Sequence, residues 1–239
     1  MRYIVTRHLH IEQAFGGQPQ VQDVGARLFV TVAIAGPTDA GRYRATFTVD
    51  SIVPDSGTPD QLGTMMTKVR SLVFAGRLAA VGEFDGVAAS DTTATMNLAQ
   101  FVGNFRDFLP RIPATGAGVG GAWTDTVMLA QRAGGGDAAV SRRAVIRSTA
   151  LGWEPHAGVS SLRIESAATY DVSGAGQNNG QAFELTGAGT GSAQSFLSED
   201  GRYVGGESRD STTLTVSLPA QGLTIPVVQV MSSTVTLRP

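Results

Sequence analysis

The sequence predicts a mainly β fold of the α+β class: a large curled antiparallel sheet or open barrel of long strands with two helices packed on it. Three observations carry this. Apolar and polar residues alternate over runs far longer than an ordinary strand of five or six residues. The 30 glycines punctuate those runs without a collagen-like period. Helical spacing occurs in two places, both between Pro59 and Phe108.

The first strand is expected from Arg2 to Glu12, the second from Gln22 to Ala35 and the third from Gly41 to Ile52. In the second, Val24, Ala26, Leu28, Val30, Val32 and Ile34 fall on one side, with Arg27, Phe29 and Thr31 on the other. In the third, Tyr43, Ala45, Phe47 and Val49 alternate with Arg42, Arg44, Thr46 and Thr48. Gly16-Gly17-Gln18-Pro19 and Gly36-Pro37-Thr38-Asp39 supply turn chemistry, so these strands read as an antiparallel meander. The period changes after Thr58-Pro59. Leu62, Met65, Met66, Val69 and Leu72 predict a helix over Pro59 to Leu72. A short strand is expected from Arg77 to Phe84, ending at Asp85-Gly86. A second helix follows Ser90-Asp91, with Met96, Phe101, Val102, Phe105 and Phe108 on its apolar side.

Pro110 and Pro113 stop that helix, and a Gly-rich run leads into Trp123. Everything after reads as β: Trp123 to Arg132, Ala138 to Leu151, Val159 to Val172, Gln181 to Gly189, Ser192 to Ser198, Arg202 to Leu218 and Leu223 to Leu237. Leu162, Ile164 and Tyr170 against Arg163, Glu165 and Asp171 repeat the alternation, and Ser173 to Gly180 is expected to connect two strands. At 239 residues the chain is expected to form one β-rich domain, 1–239, with an internal boundary near 110–122.

Composition excludes several functions. A net charge of −2 argues against a general nucleic-acid binder, whose affinity comes from clustered cations. With no cysteine, the chain has no disulfide, iron–sulfur or thiolate zinc chemistry of its own. No apolar stretch approaches the roughly 20 residues of a membrane-spanning helix.

Candidate chemistry is sparse. Gly116, Gly118 and Gly121 have the bare spacing GxGxxG, but the dinucleotide fingerprint needs a strand before it and a helix after it, and here the order is inverted. Gly187, Gly189 and Gly191 share one strand face, which points to close backbone or aromatic approach. His8 and His10 share a face of the first strand and, with His156, are candidate imidazole ligands, although no acidic motif supplies a third ligand. No GxSxG elbow is present, and the acidic residues at Glu199-Asp200-Gly201 and Glu207 to Asp210 read as turns. The sequence therefore predicts no enzyme, no catalytic or metal-binding residue and no cofactor. Tyr3, Phe15, Phe29, Phe47, Phe84, Phe183 and Tyr203 are either core or the lining of a ligand cavity beneath the helices. Arg42, Arg44, Arg142, Arg143 and Arg147 are the candidate partner-facing residues, against the competing and favoured reading of solvated strand faces.

The segment Phe108-Leu109-Pro110, then Gly116 to Gly121 and Trp123-Thr124-Asp125, lies between a helix and a β-rich second half. In this it resembles a group of uncharacterised bacterial cell-envelope β-rich proteins, many of them lipoproteins, and the strand with Phe183, Gly187 and Gly189 also fits. The chain departs from that group in having no lipid-bearing cysteine or export signal. The resemblance implies a periplasmic protein peripheral to a membrane and carries over no catalytic residue. A looser resemblance is to the extrinsic accessory subunits of bacterial photosynthetic reaction centre–light-harvesting complexes. The expected function is a non-enzymatic, membrane-extrinsic structural subunit that stabilises a complex of other protein subunits. The alternative is an envelope carrier binding an apolar ligand inside the curled sheet.

Overall fold

The computed structural model describes residues 1–38, 41–102, 105–133, 138–178 and 180–238. In chain order its elements are β1 (Arg2–Phe15), β2 (Gln18–Pro37), β3 (Tyr43–Pro54), α1 (Asp60–Lys68), β4 (Arg70–Leu78), β5 (Phe84–Ala89), α2 (Thr92–Asn97), α3 (Ala99–Val102), β6 (Ala122–Ala133), β7 (Ala138–His156), β8 (Val159–Asn178), β9 (Gln181–Ser198), β10 (Tyr203–Leu218) and β11 (Leu223–Arg238). Among the described residues, eleven strands form one antiparallel, curled and unclosed sheet in the order β5-β4-β3-β2-β1-β11-β10-β9-β8-β7-β6. The mainly β expectation and the helices packed on the sheet are what the structure shows.

Tight turns dictate most of this order. Gly16 and Gly17 have φ of 59° and 81°, the left-handed pair that a two-residue hairpin turn requires, and Phe15 pairs with Gln18 across it. The strands therefore resume sooner than turn chemistry alone predicts, and β2 begins at Gln18. The first and last strands then meet at the middle of the sheet, with Arg2 opposite Arg238 and Gln13 opposite Val227. The chain consequently runs outward from β1 to one edge, crosses to the far edge through residues 90–121, and meanders back.

Several expected boundaries move. The helix expected to Leu72 ends at Lys68, because Val69 is extended and Leu72 and Phe74 already alternate into the core as part of β4. Val69 and Leu72, three apart, fit a helical face, whereas Leu72 and Phe74, two apart, follow the strand period. Of the strand expected from Arg77 to Phe84, Arg77 and Leu78 end β4 and Phe84 opens β5, while residues 79–83 form the turn between them, closed by Ala79 N–H donating to the Glu83 carbonyl at 2.8 Å, and Asp85-Gly86 lies inside β5. The second helix starts as expected, with Asp91 accepting from Ala94 N–H at 2.9 Å, but breaks into α2 and α3. Gln181 to Ser198 is one strand, and Ser173 to Asn178 belongs to β8. Asp39 and Asn179 of the expected turns, and the Phe15 and Met96 side chains, lie outside the described residues.

The core is lopsided. Tyr3, Val5, Leu28, Val30, Phe47, Val49, Ile52, Phe74 and Phe84 line the concave face of β1 to β5, and Leu98, Phe101, Val102, Phe105 and Phe108 of the crossover fill it. Phe105 stacks on Phe47 with centroids 5.0 Å apart and planes at 19°, while Phe108 meets Tyr3 edge-on at 5.3 Å and Phe47 at 5.4 Å. Ile34 and Tyr43, at the far ends of the alternating runs, are 43% and 37% exposed because the packed crossover does not reach them.

Phe47 is fully buried at the meeting point of Phe84, Phe105 and Phe108. Phe47→Ala is expected to lower the unfolding free energy by about 3–5 kcal/mol, measured by urea denaturation.

Candidate functional site

Register, more than any single motif, builds the site. Pairing aligns Trp123, Ser148, Ser166, Ala193, Ser208, Ser233 and Arg7 as successive neighbours across β6, β7, β8, β9, β10, β11 and β1. The next row along the concave face is Asp125, Ile146, Ala168, Gly191, Asp210, Met231 and Leu9. Where β1 to β5 carry phenylalanine and leucine, this half carries serine, alanine and glycine. Small side chains cannot fill the curl. A cavity of about 540 Å³ remains above them, walled on its other side by Phe108, Leu109, Pro110 and Arg111 of the crossover. Its apolar lining includes Trp123, Val127, Ile146, Val172 and Met231.

One end of the trough is built from a layered group. A Cβ on Gly189 would lie 2.5 Å from the Tyr170 ring, so glycine lets that ring lie down on β9. Tyr170 then reaches the Thr212 hydroxyl at 2.7 Å, and Arg142 stacks on its face with the guanidinium carbon 3.7 Å from the ring centroid. Arg142 also donates from Nη2 to Asp210 Oδ1 at 3.3 Å. β7 and β10 are three strand spacings apart, about 14 Å along a flat sheet, so this contact depends on the curl and on the length of the arginine. Burial pushes the Asp210 carboxyl above its usual range, against the opposing pull of Arg142 and with a further push from Asp107. Burial likewise raises the Tyr170 phenol.

Arg7 sits where the packed half meets the trough. It follows Tyr3 and Val5 on the concave face of β1, donates from Nη1 to the Phe101 carbonyl, and has its Nε sealed from solvent with no hydrogen-bond acceptor. Burial lowers its pKa to about 10, so it stays a cation at neutral pH, with Asp107 acting in the opposite direction. Leaving a buried donor unmet costs about 1–3 kcal/mol. At the β6 edge Arg111 pairs with Asp125 at 3.2 Å, and Trp123 Nε1 donates to the Arg111 carbonyl at 3.2 Å, which ties the crossover to the trough wall.

The chain matches no known family model and no curated protein.

The candidate arginines separate. Arg142 points into the trough, while Arg143 and Arg147, one residue out of phase, are exposed on the opposite face of β7. Arg44 is exposed, and Arg42 pairs with Asp85 and with Glu83, the latter at 3.3 Å. The histidines also separate: His8 faces Asp55 at 3.5 Å, His10 lies between Asp23 at 2.7 Å and Glu12 at 3.0 Å, and His156 stacks on Phe196. Hydrogen bonds that the protonated ring donates to Glu12 and then to Asp23 raise the His10 pKa. Among the described residues no three His, Asp or Glu side chains are placed to share a metal. Gly116 to Gly121 sits ahead of β6, bound to β7 by Gly120 N–H to the Ala150 carbonyl at 2.7 Å.

Two residues escaped the sequence reading. Glu207 to Asp210 is not a turn but, as the strand expected from Arg202 to Leu218 requires, part of β10, which places Asp210 on the trough floor. Arg7 carried a legible signal, a charge at an apolar-face position between Val5 and Leu9.

Gly189→Ala is expected to destabilise the fold by about 1–3 kcal/mol, because Tyr170 and the Ser211 carbonyl at 2.6 Å both block the new methyl; thermal or urea unfolding reads it. Asp210 has a folded pKa above its unfolded value, so its contribution to stability is fully present below about pH 4 and lost as pH rises through the folded value. The stability of Asp210→Asn relative to the parent protein should therefore rise between about pH 4 and pH 7, as measured by urea unfolding at each pH.

Proposed function

We propose that the protein is a carrier that binds an apolar ligand in the trough of β6 to β11. The observation that supports this is the contrast between the two halves of one sheet: aromatic side chains fill the first, and a floor of Ser148, Ser166, Ala193, Ser208 and Ser233 leaves about 540 Å³ open in the second. Cavities of roughly 300–1,000 Å³ suit small-molecule ligands. Small serine hydroxyls line the floor, and Arg7, Arg142 and Asp210 add charged groups that can supply orientation while Trp123, Val127, Ile146, Val172 and Met231 supply apolar contact. The proposed setting is the cell envelope, as the sequence resemblance implies. No helix among the described residues is long and apolar enough to cross a membrane.

The second reading is the membrane-extrinsic structural subunit, of a photosynthetic reaction centre–light-harvesting assembly or another membrane complex. The unpaired outer edges of β5 and β6 and the exposed Met128 and Trp153, 70% and 47% accessible, favour it. Arg44, Arg143 and Arg147 would then face the partner. Mass spectrometry of whatever co-purifies from gently solubilised native membranes tests it, and a protein that never leaves with a membrane complex counts against it.

For the carrier, the uncharged fluorophore N-phenyl-1-naphthylamine is expected to bind saturably. Ala193→Trp, which fills the floor, should weaken it at least about tenfold, whereas Ala188→Trp on the opposite face of β9 should not. Non-saturable binding, or equal affinity in all three proteins, would overturn the carrier reading.

A further inference from the structure

The lining of the trough is not uniformly apolar, and its cations are not equivalent. Arg111 is paired with Asp125 at 3.2 Å and Arg142 with Asp210 at 3.3 Å. Arg7 is different. Among the described residues no carboxylate lies within salt-bridge distance of it and its one hydrogen bond goes to a neutral backbone carbonyl, while its Nε, like that of Arg142, has no acceptor. A guanidinium offers five N–H donors in a planar fork. In the row that crosses the floor Arg7 is followed by Ser233 and then Ser208, which place two hydroxyls beside it. Beyond them the row continues as Ala193, Ser166 and Ser148, the last two hydroxyls bonded to each other at 2.8 Å, while the adjacent row offers Ala168 and Ile146, with Val127 and Met231 also in the lining. The trough thus has an unpaired cation and hydroxyls at the packed plug and, beyond them, an apolar strip of Ala168, Ile146 and Val127 whose neighbouring charges, Arg111 with Asp125 and Arg142 with Asp210, are paired with each other.

We infer that the ligand is an anionic amphiphile, with its acidic head on Arg7 and the Ser233 and Ser208 hydroxyls and its tail along Ala168, Ile146 and Val127. This rests on the carrier reading of the same trough. A carboxylate or sulfate ester head would supply the acceptor that Nε lacks, and a charged hydrogen bond made away from bulk water is stronger than a neutral one. Asp107 and Asp210 add negative potential at this end and restrict the head to one small anionic group, disfavouring a second negative charge.

The test compares ligands that share a tail and differ in head. Dodecanoate and dodecanol are titrated at pH 8 as competitors of N-phenyl-1-naphthylamine, with acetate and inorganic phosphate as heads without a tail. The full chain is expected to favour dodecanoate over dodecanol by about tenfold or more, and acetate and phosphate should not compete. Arg7→Met should abolish the preference while leaving dodecanol affinity and the melting temperature close to those of the parent. Arg7→Lys, which keeps the cation, should retain part of the preference and guards against a folding defect in the methionine variant. Equal affinity for the two amphiphiles, or a preference that survives Arg7→Met, overturns the anionic-head inference and leaves the carrier intact. Displacement by acetate or phosphate alone would overturn the amphiphile and identify a simple anion site. Binding of neither amphiphile overturns the carrier as well.

Discussion

The pairing of β1 with β11 at the middle of the sheet is the constraint on which the rest depends. Because the two ends of the chain meet there, the strands before and after the crossover must grow outward in opposite directions, and the chain must pass once from the β5 edge to the β6 edge. That passage runs over the concave face. The crossover is therefore available as filling, and its aromatic residues are what turn a curled sheet into a packed protein. Without Phe101, Phe105 and Phe108 the face carrying Leu28, Phe47 and Phe74 would have nothing to bury against.

One crossover cannot fill a sheet of eleven strands. Residues 105–111 finish the packed half and then serve as one wall of the other, with Phe108 in both the aromatic cluster and the cavity lining. The boundary between core and trough is thus a change in side-chain size at constant architecture. Along β9 the inward positions run Gly187, Gly189, Gly191, Ala193 and Ser195, so the backbone continues while the volume above it falls. Only where Tyr170 lies across Gly189 and carries Arg142 does the second half regain a layered interior.

Much of the fold was legible because a strand declares its faces locally. The alternation of Val24, Ala26, Leu28, Val30 and Val32 specified a buried face, and the same rule separates Arg142 from Arg143 on opposite sides of β7. The helix after Asp91 was legible from its cap and apolar spacing, although its break into two was not. The trough was not legible, for a physical reason. Its floor is made of residues that each look unremarkable in their own strand, and only the pairing register brings Ser148, Ser166, Ala193, Ser208 and Ser233 into one row. Asp210 drew two competing readings, a turn from the composition of Glu207 to Asp210 and a strand from Arg202 to Leu218, and the strand reading is the one that holds.

The unpaired seam between β5 and β6 has a mechanical meaning. In a closed barrel the girth is set by strand number and stagger, and widening it means breaking hydrogen bonds. Here the ladder from β5 to β6 is continuous but its two ends are not joined, so twist can relax across many strand pairs without the loss of any of them. Girth becomes a soft coordinate. With one flank braced by the aromatic plug, that compliance falls on the flank bearing the trough, whose width can change at little cost in backbone pairing.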